Sequence, residues 1–172
     1  SIGLRPGPAY EIMTTPRKRI MVTGAVGAGK STLLHTLFEN GPVTKTQSLE
    51  YTHNAIDTPG EFTAHPFLKS ALFATALEAD LVIFIQDATS GYRQFPPGFA
   101  TGFPKPSIGV VTKIDSEKAD IERAKEILRD VVVTERDHIQ CVSSVTGEGL
   151  KELKEFIDEY FEKMYAKENQ NR

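Results

Sequence analysis

The sequence predicts an α/β fold: a mainly parallel sheet with helices on both faces. Three observations carry that reading. Apolar runs of strand length alternate with stretches whose apolar residues recur at helical spacing. Two of the runs, "DLVIFIQDA" and "PSIGVVTKID", are apolar almost throughout, as strands covered on both faces are. Finally, "GAVGAGKS" (Gly24 to Ser31) sets a glycine-rich turn between the short apolar run Ile20, Met21, Val22 and a helix bearing Leu33, Leu34, Leu37 and Phe38. In such sheets ligands bind at the carboxyl ends of the strands.

At 172 residues the chain is one domain. The net charge of −3 gives no electrostatic basis for binding nucleic acid. The one cysteine, Cys141, cannot form an internal disulfide and reads as packing in a strand. No apolar run reaches the roughly 18 residues that span a bilayer, so the expectation is a soluble, cytoplasmic protein. His35, His53, His65 and His138 show no metal-ligand spacing. Residues 1–16, rich in proline and glycine at their start, are expected to be a disordered or appended extension. The domain is then 17–166, with 167–172 a frayed tail.

The elements follow in order. After the first helix, "TQSLEYTHNAIDT" reads as two short strands joined near His53-Asn54. "HPFLKSALFATALEA" places Phe67, Leu68, Ala71, Leu72 and Thr75 on one helical face. Strands are expected in "DLVIFIQDA", "PSIGVVTKID" and "HIQCVSS". Between the last two, Ile121, Ala124, Ile127, Leu128 and Val131 mark a helix. The final helix is amphipathic through Leu150, Leu153, Phe156, Ile157, Tyr160, Phe161 and Met164. "TSGYRQFPPGFATGFPK" stands where a helix is due, yet its prolines and glycines allow only a short irregular one. Its aromatics are expected to be exposed, as befits either a functional surface loop or a packed one.

The chemistry gathers at strand ends. "GAVGAGKS" matches G-x-x-x-x-G-K-[ST] at Gly24, Gly29, Lys30 and Ser31, with Ala25, Val26, Gly27, Ala28 and Thr32 completing the phosphate-binding stretch. Glycines let backbone N–H groups approach a phosphate, and the following helix adds its positive end. Lys30, in a solvent-reaching turn, would contact a terminal phosphate, and the Ser31 hydroxyl would hold Mg²⁺. At "DTPG", Asp57 would order Mg²⁺ through water, and the Gly60 N–H would bond the γ-phosphate. Thr46 in "KTQ" is the candidate for a second Mg²⁺ hydroxyl, with Thr44 the alternative. In "TKID", which starts at Thr112, Asp115 can accept from guanine N1–H and its 2-amino group while the Lys113 stem lies along the base. As the alternative, Asp115 is an acid placed at a helix N-terminus. In "SSVTGEGL", Ser143, Ser144 and Val145 end the last strand, where the Ser144 N–H can donate to guanine O6.

These five stretches, in this order, resemble the small translation-factor-type GTPases, which implies a single six-stranded Ras-like domain of the P-loop NTPase class. "KTQSLEYTHNAIDTPGE", "IQDATSGYRQFPPGFATGFPKPSIGVVTKID", "DIERAKEIL" and "VSSVTGEGL" extend the resemblance to the EutP/PduV family of ethanolamine- and propanediol-utilisation proteins. That resemblance implies Mg²⁺, GTP or GDP (with ATP possible), and work beside metabolic microcompartments. It departs from generic relatives at Thr112, where asparagine is commoner, and at Glu61, where many carry a water-orienting glutamine. Three functions follow: a slow GTPase switch in which Lys30, Thr46, Gly60 and Glu61 surround the γ-phosphate; an ATP-dependent acetate kinase; and a module docking on a microcompartment shell protein through its aromatic loop. For the kinase, Lys45, Lys69 and Arg93 are the cations nearest in sequence for a carboxylate.

Overall fold

The computed structural model describes residues 8–14, 19–25, 27–38, 45–50, 72–74, 76–77, 79–93, 95–103, 105–133 and 138–170. Its strands are β1 (Pro8–Thr14), β2 (Arg19–Thr23), β3 (Lys45–Glu50), β4 (Leu81–Asp87), β5 (Ser107–Thr112) and β6 (Gln140–Cys141). Its helices are α1 (Lys30–Phe38), α2 (Ile121–Val132) and α3 (Leu150–Gln170). A 3-10 turn, Phe99–Gly102, is the short helix expected in the proline-rich connection.

The six strands form one sheet in the order β3-β1-β2-β4-β5-β6. β2, β4, β5 and β6 make a parallel block, with Thr23 opposite Phe84 and Asp87 opposite Thr112. β1 runs antiparallel to both β2 and β3, so the parallel pairing covers four strands where six mainly parallel ones were expected. Residues expected to lie in a disordered or appended extension thus include a strand. The local chemistry permits it: Tyr10, Ile12 and Thr14 favour extended backbone, and Pro8 sits at the first strand position, where its missing N–H costs least. Residues 167–170, expected to be frayed, continue α3.

Alternation along the strands divides the core into two layers. Ile20, Val22, Leu81, Ile83 and Ile85 face α1 and α3, packing with Leu33, Leu153, Ile157 and Phe161. Met21, Val82, Phe84 and Val111 face the other way, against Leu72, Ala76 and the α2 residues Ala124, Leu128 and Val131. Helices therefore cover both faces, as the uninterrupted apolar runs require. α2 begins at Asp120, whose carboxylate accepts from the Arg123 N–H at 3.1 Å. The helix cap is that residue, so Asp115 is not needed for it.

The proline-rich connection is packed inward. Phe95, Phe99 and Phe103 are buried, which corrects the expectation that its aromatics are exposed; only Tyr92 among them is open to solvent. The Phe84 ring meets Phe95, Phe99 and Phe103 edge-on at centroid distances of 5.1, 6.1 and 5.4 Å. Edge-to-face pairs add to simple area burial because ring edges and faces carry opposite partial charge. The connection is also tied to α2: the Gly98 N–H donates to the Asp130 carbonyl at 2.7 Å, and Arg93 pairs with the Asp130 carboxylate at 2.8 Å. Truncating the central ring should be costly. Phe84→Ala is expected to lower unfolding free energy by about 3–5 kcal/mol, measured by urea denaturation. A loss under about 1 kcal/mol would contradict this packing.

Candidate nucleotide-binding site

The loops that leave the carboxyl ends of β2, β4, β5 and β6 converge on one edge of the parallel block. The turn after β2 is shaped by three glycines for two reasons. Gly27 and Gly29 have φ of +82° and +100°, values that side chains resist. Gly24 is needed for space: a Cβ there would stand 2.5 Å from Ile85 Cγ1 and 2.9 Å from the Ile85 carbonyl oxygen. The Ala28 N–H closes a tight turn on the Ala25 carbonyl, and the Leu33 N–H donates to the Gly29 carbonyl as α1 begins.

Four carbonyls of this loop accept side-chain hydrogen bonds. Lys30 Nζ donates to Gly24 O at 3.1 Å and to Ala25 O at 3.0 Å. Lys113 Nζ donates to Gly27 O at 2.6 Å. Thr112 Oγ1 donates to Ala28 O at 2.8 Å. Holding the carbonyls in this way turns the N–H edge of peptide units such as those of Gly27 and Gly29 the other way, where it suits an anion, and α1 adds its positive end. Lys30 is only 5 % exposed, so the expectation of a solvent-reaching lysine is corrected: its ammonium is held within the loop.

Thr112, where generic relatives carry asparagine, is linked to the glycine-rich loop. The hydroxyl is buried and reaches both Ala28 O and, at 3.5 Å, Gln86 O. Lys113 takes a left-handed backbone conformation, φ 62°, which turns its side chain back over the phosphate loop. Asp115 Oδ1 accepts from Ser143 Oγ at 2.8 Å. Ser143 Oγ in turn accepts from the Val145 and Thr146 N–H groups at 3.1 and 3.0 Å, fixing the turn that carries Ser144. Behind it, Gly149 (φ +77°) passes so close to the Cys141 carbonyl that a Cβ would collide with it. Two stretches that lie far apart in sequence are thus joined side chain to side chain.

Val26, Thr44, Asp57, Gly60 and Glu61 lie outside the described residues, and the side chain of Ser31 is likewise not described. Thr32 is exposed on α1. Thr46 is in β3, and β1 lies between β3 and β2; Thr46 is opposite Met13, which is itself opposite Ile20. That register puts the Thr46 backbone level with the start of β2, away from the loop that follows Thr23. The structure therefore does not gather Thr46 into the site.

Residues at the end of β4 were not singled out from sequence. Asp87 Oδ1 accepts from the Thr89 N–H at 2.8 Å and the Thr89 hydroxyl at 2.6 Å, while Asp87 Oδ2 pairs with Lys113 Nζ at 2.9 Å. Burial opposes its charge, but the hydrogen bonds from Thr89 and Lys113 prevail and hold the carboxyl below its usual range. The neighbouring Gln86, buried, donates to the carbonyls of Ser90 and Tyr92 at 3.0 and 3.3 Å and shapes the loop that follows. The available signal was a polar pair, Gln86-Asp87, closing an otherwise apolar strand at the level of the other motifs.

The glycine-turned loop between β2 and α1, on an α/β sheet with a parallel block, defines the P-loop class of fold. A solved structure of a "probable GTP-binding protein engB" superimposes with a TM-score of 0.54 at 16% identity, over 84% of this chain and 98% of that one, a likeness of fold. The chain belongs to the PduV-EutP family, described as ethanolamine utilisation - propanediol utilisation, which matches residues 17–159. Among relatives, a "Probable acetate kinase EutP" from Salmonella typhimurium is 38% identical over 117 residues, 66% of this chain and 74% of that protein. A "Propanediol utilization protein PduV" from Citrobacter freundii is 39% identical over 99 residues, 57% of this chain and 66% of that protein. No helix among the described residues is long and apolar enough to cross a membrane, and no group of three or more acidic, histidine or cysteine residues among them could hold a metal ion.

The Thr112 bond gives a direct test. Thr112→Val keeps the shape but leaves the Ala28 carbonyl without that donor. Unfolding free energy should fall by about 1–3 kcal/mol, while Thr112→Ser should retain most of the stability. Equal urea midpoints for Thr112→Val and the unsubstituted chain would contradict the link.

Proposed function

We propose that this chain is a Mg²⁺-dependent guanine-nucleotide-binding protein that hydrolyses GTP slowly and serves ethanolamine or propanediol utilisation as a switch. The observation that carries the reading is the wall formed by Asp115 and Ser143, joined through Lys113 to the Gly27 carbonyl of the phosphate loop. In this reading Asp115 accepts from guanine N1–H and its 2-amino group. The Ser144 N–H donates to O6, Val145 flanks the base, and the Lys113 stem lies along it. The N–H groups of residues 24–32 other than Ala28, and the Lys30 ammonium, take the phosphates.

The donor set fits a phosphate: a lysine within a glycine-turned loop and a helix N-terminus behind it. Mg²⁺, held by Ser31 and through Asp57, would neutralise charge developing between the β- and γ-phosphates. Gly60 would report the γ-phosphate to the loops around it. Glu61 replaces a neutral water-orienting side chain with one the triphosphate repels, which supports slow turnover.

Acetate kinase activity is a second reading, favoured by the name of the Salmonella relative. Of the cations suggested for a carboxylate, Arg93 is already paired with Asp130, which weakens that reading. Docking through an aromatic loop loses its main support because Phe95 and Phe99 are buried.

Base preference separates the first two readings. Adenine offers Asp115 a lone pair at N1 and no 2-amino group, and a site built on hydrogen bonds rejects such an analogue by a factor on the order of 10⁴. Calorimetry should find GTP far tighter than ATP, and Asp115→Asn should weaken GTP while improving xanthosine triphosphate. Equal affinities, with acetyl phosphate formed from ATP and acetate, would overturn the proposal.

A further inference from the structure

The carboxylate at the end of β4 belongs to none of the stretches read as phosphate or base site, yet it has a fixed geometry. Its two oxygens face different ways: one is held by the Thr89 N–H and hydroxyl, the other meets the Lys113 ammonium. The same ammonium donates to Gly27 O. Lys113 is thus anchored at both ends of its side chain, by a left-handed backbone at one and by a carboxylate and a loop carbonyl at the other. A lysine stem without such an anchor samples many rotamers, and each contact it makes must overcome that entropy.

We propose that Asp87 is a positioning residue of the nucleotide site: it fixes the Lys113 ammonium against the Gly27 carbonyl, which sets both the stem beside the base and the phosphate loop. The inference rests on the guanine-nucleotide reading of the same site. Asp87 acts through Lys113 and need not touch the ligand. The pair is unequal in exposure, 15 % for the Asp87 side chain against 45 % for that of Lys113. Solvent therefore screens the lysine side, and the effect on binding is moderate. The strand ends do not depend on the charge: the Ala88 N–H donates to the Thr112 carbonyl at 2.9 Å and the Asp120 N–H to the Ala88 carbonyl at 2.8 Å. Asn at position 87 can still accept from Thr89, so the fold stays while the ammonium loses its counter-charge.

The test is the release rate of fluorescently labelled GDP from the full chain, measured for Asp87→Asn, Lys113→Met and the double variant. Asp87→Asn should release the nucleotide about two- to fivefold faster, the range for a partly exposed charge pair. In the Lys113→Met background the same substitution should have no further effect. The nucleotide-free thermal midpoint of Asp87→Asn should stay within about 2 °C of the unsubstituted chain, which a general structural defect would not allow. Unchanged release, or equal acceleration in the Lys113→Met background, would overturn the inference. If Asp87→Asn does not fold, Thr89→Ala carries the test: it removes only the hydroxyl bond, should speed release about twofold, and overturns the inference if it does not. Failure of the unsubstituted chain to hold GDP would overturn both this and the functional reading. Tight GDP with unchanged release from the variants would overturn this inference alone.

Discussion

The site depends on the carbonyls of one short loop being held by side chains. Gly24, Ala25, Gly27 and Ala28 each accept from a side chain, and the donors come from α1, the end of β5 and the residue after it. Bonds from a charged donor are stronger than neutral ones, so Lys30 and Lys113 contribute most. A glycine-rich loop loses much backbone entropy when it is ordered. Held by four carbonyls, it is shaped before any ligand arrives, and that part of the ordering cost falls on folding and not on binding.

The rest of the architecture keeps those donors in register. Thr112 can reach Ala28 because β5 lies two strands from β2, with β4 paired to both through continuous parallel ladders. β4 is buried on both faces, with Phe84 set in an aromatic cluster on one side and Ile83 and Ile85 packed toward α1 and α3 on the other. A strand so confined cannot slip by one residue without turning its polar end, Gln86 and Asp87, out of place. Packing deep in the sheet is in this way coupled to the chemistry at its edge.

The parallel block and its helices were legible because β4 and β5 are apolar runs and α2 and α3 repeat at helical spacing. Asp115 and Ser143 could be singled out because each follows a strand run, but their bond depends on β5 and β6 being paired, which no spacing announces. β1 was not: "PAYEIMT" is short and follows prolines and glycines that suggest a loose start, and only the partners on both sides make it a strand. The aromatic connection misled for a related reason, because turn residues announce a loop without saying which way Phe95, Phe99 and Phe103 point. Asp87 lies outside the phosphate- and base-site motifs. Its role comes from Lys113, whose left-handed backbone no spacing rule announces.

The central claim is that this loop presents its N–H groups to a phosphate while side chains hold its carbonyls. Backbone amide resonances, followed as Mg²⁺ and GDP are titrated into the full chain, test it most directly. Saturable shifts and slowed hydrogen exchange are expected at Gly27, Gly29 and Lys30, with the Thr112 and Lys113 amides responding together with them. Binding that leaves those loop amides unmoved, or no saturable shift anywhere in the chain, would contradict it.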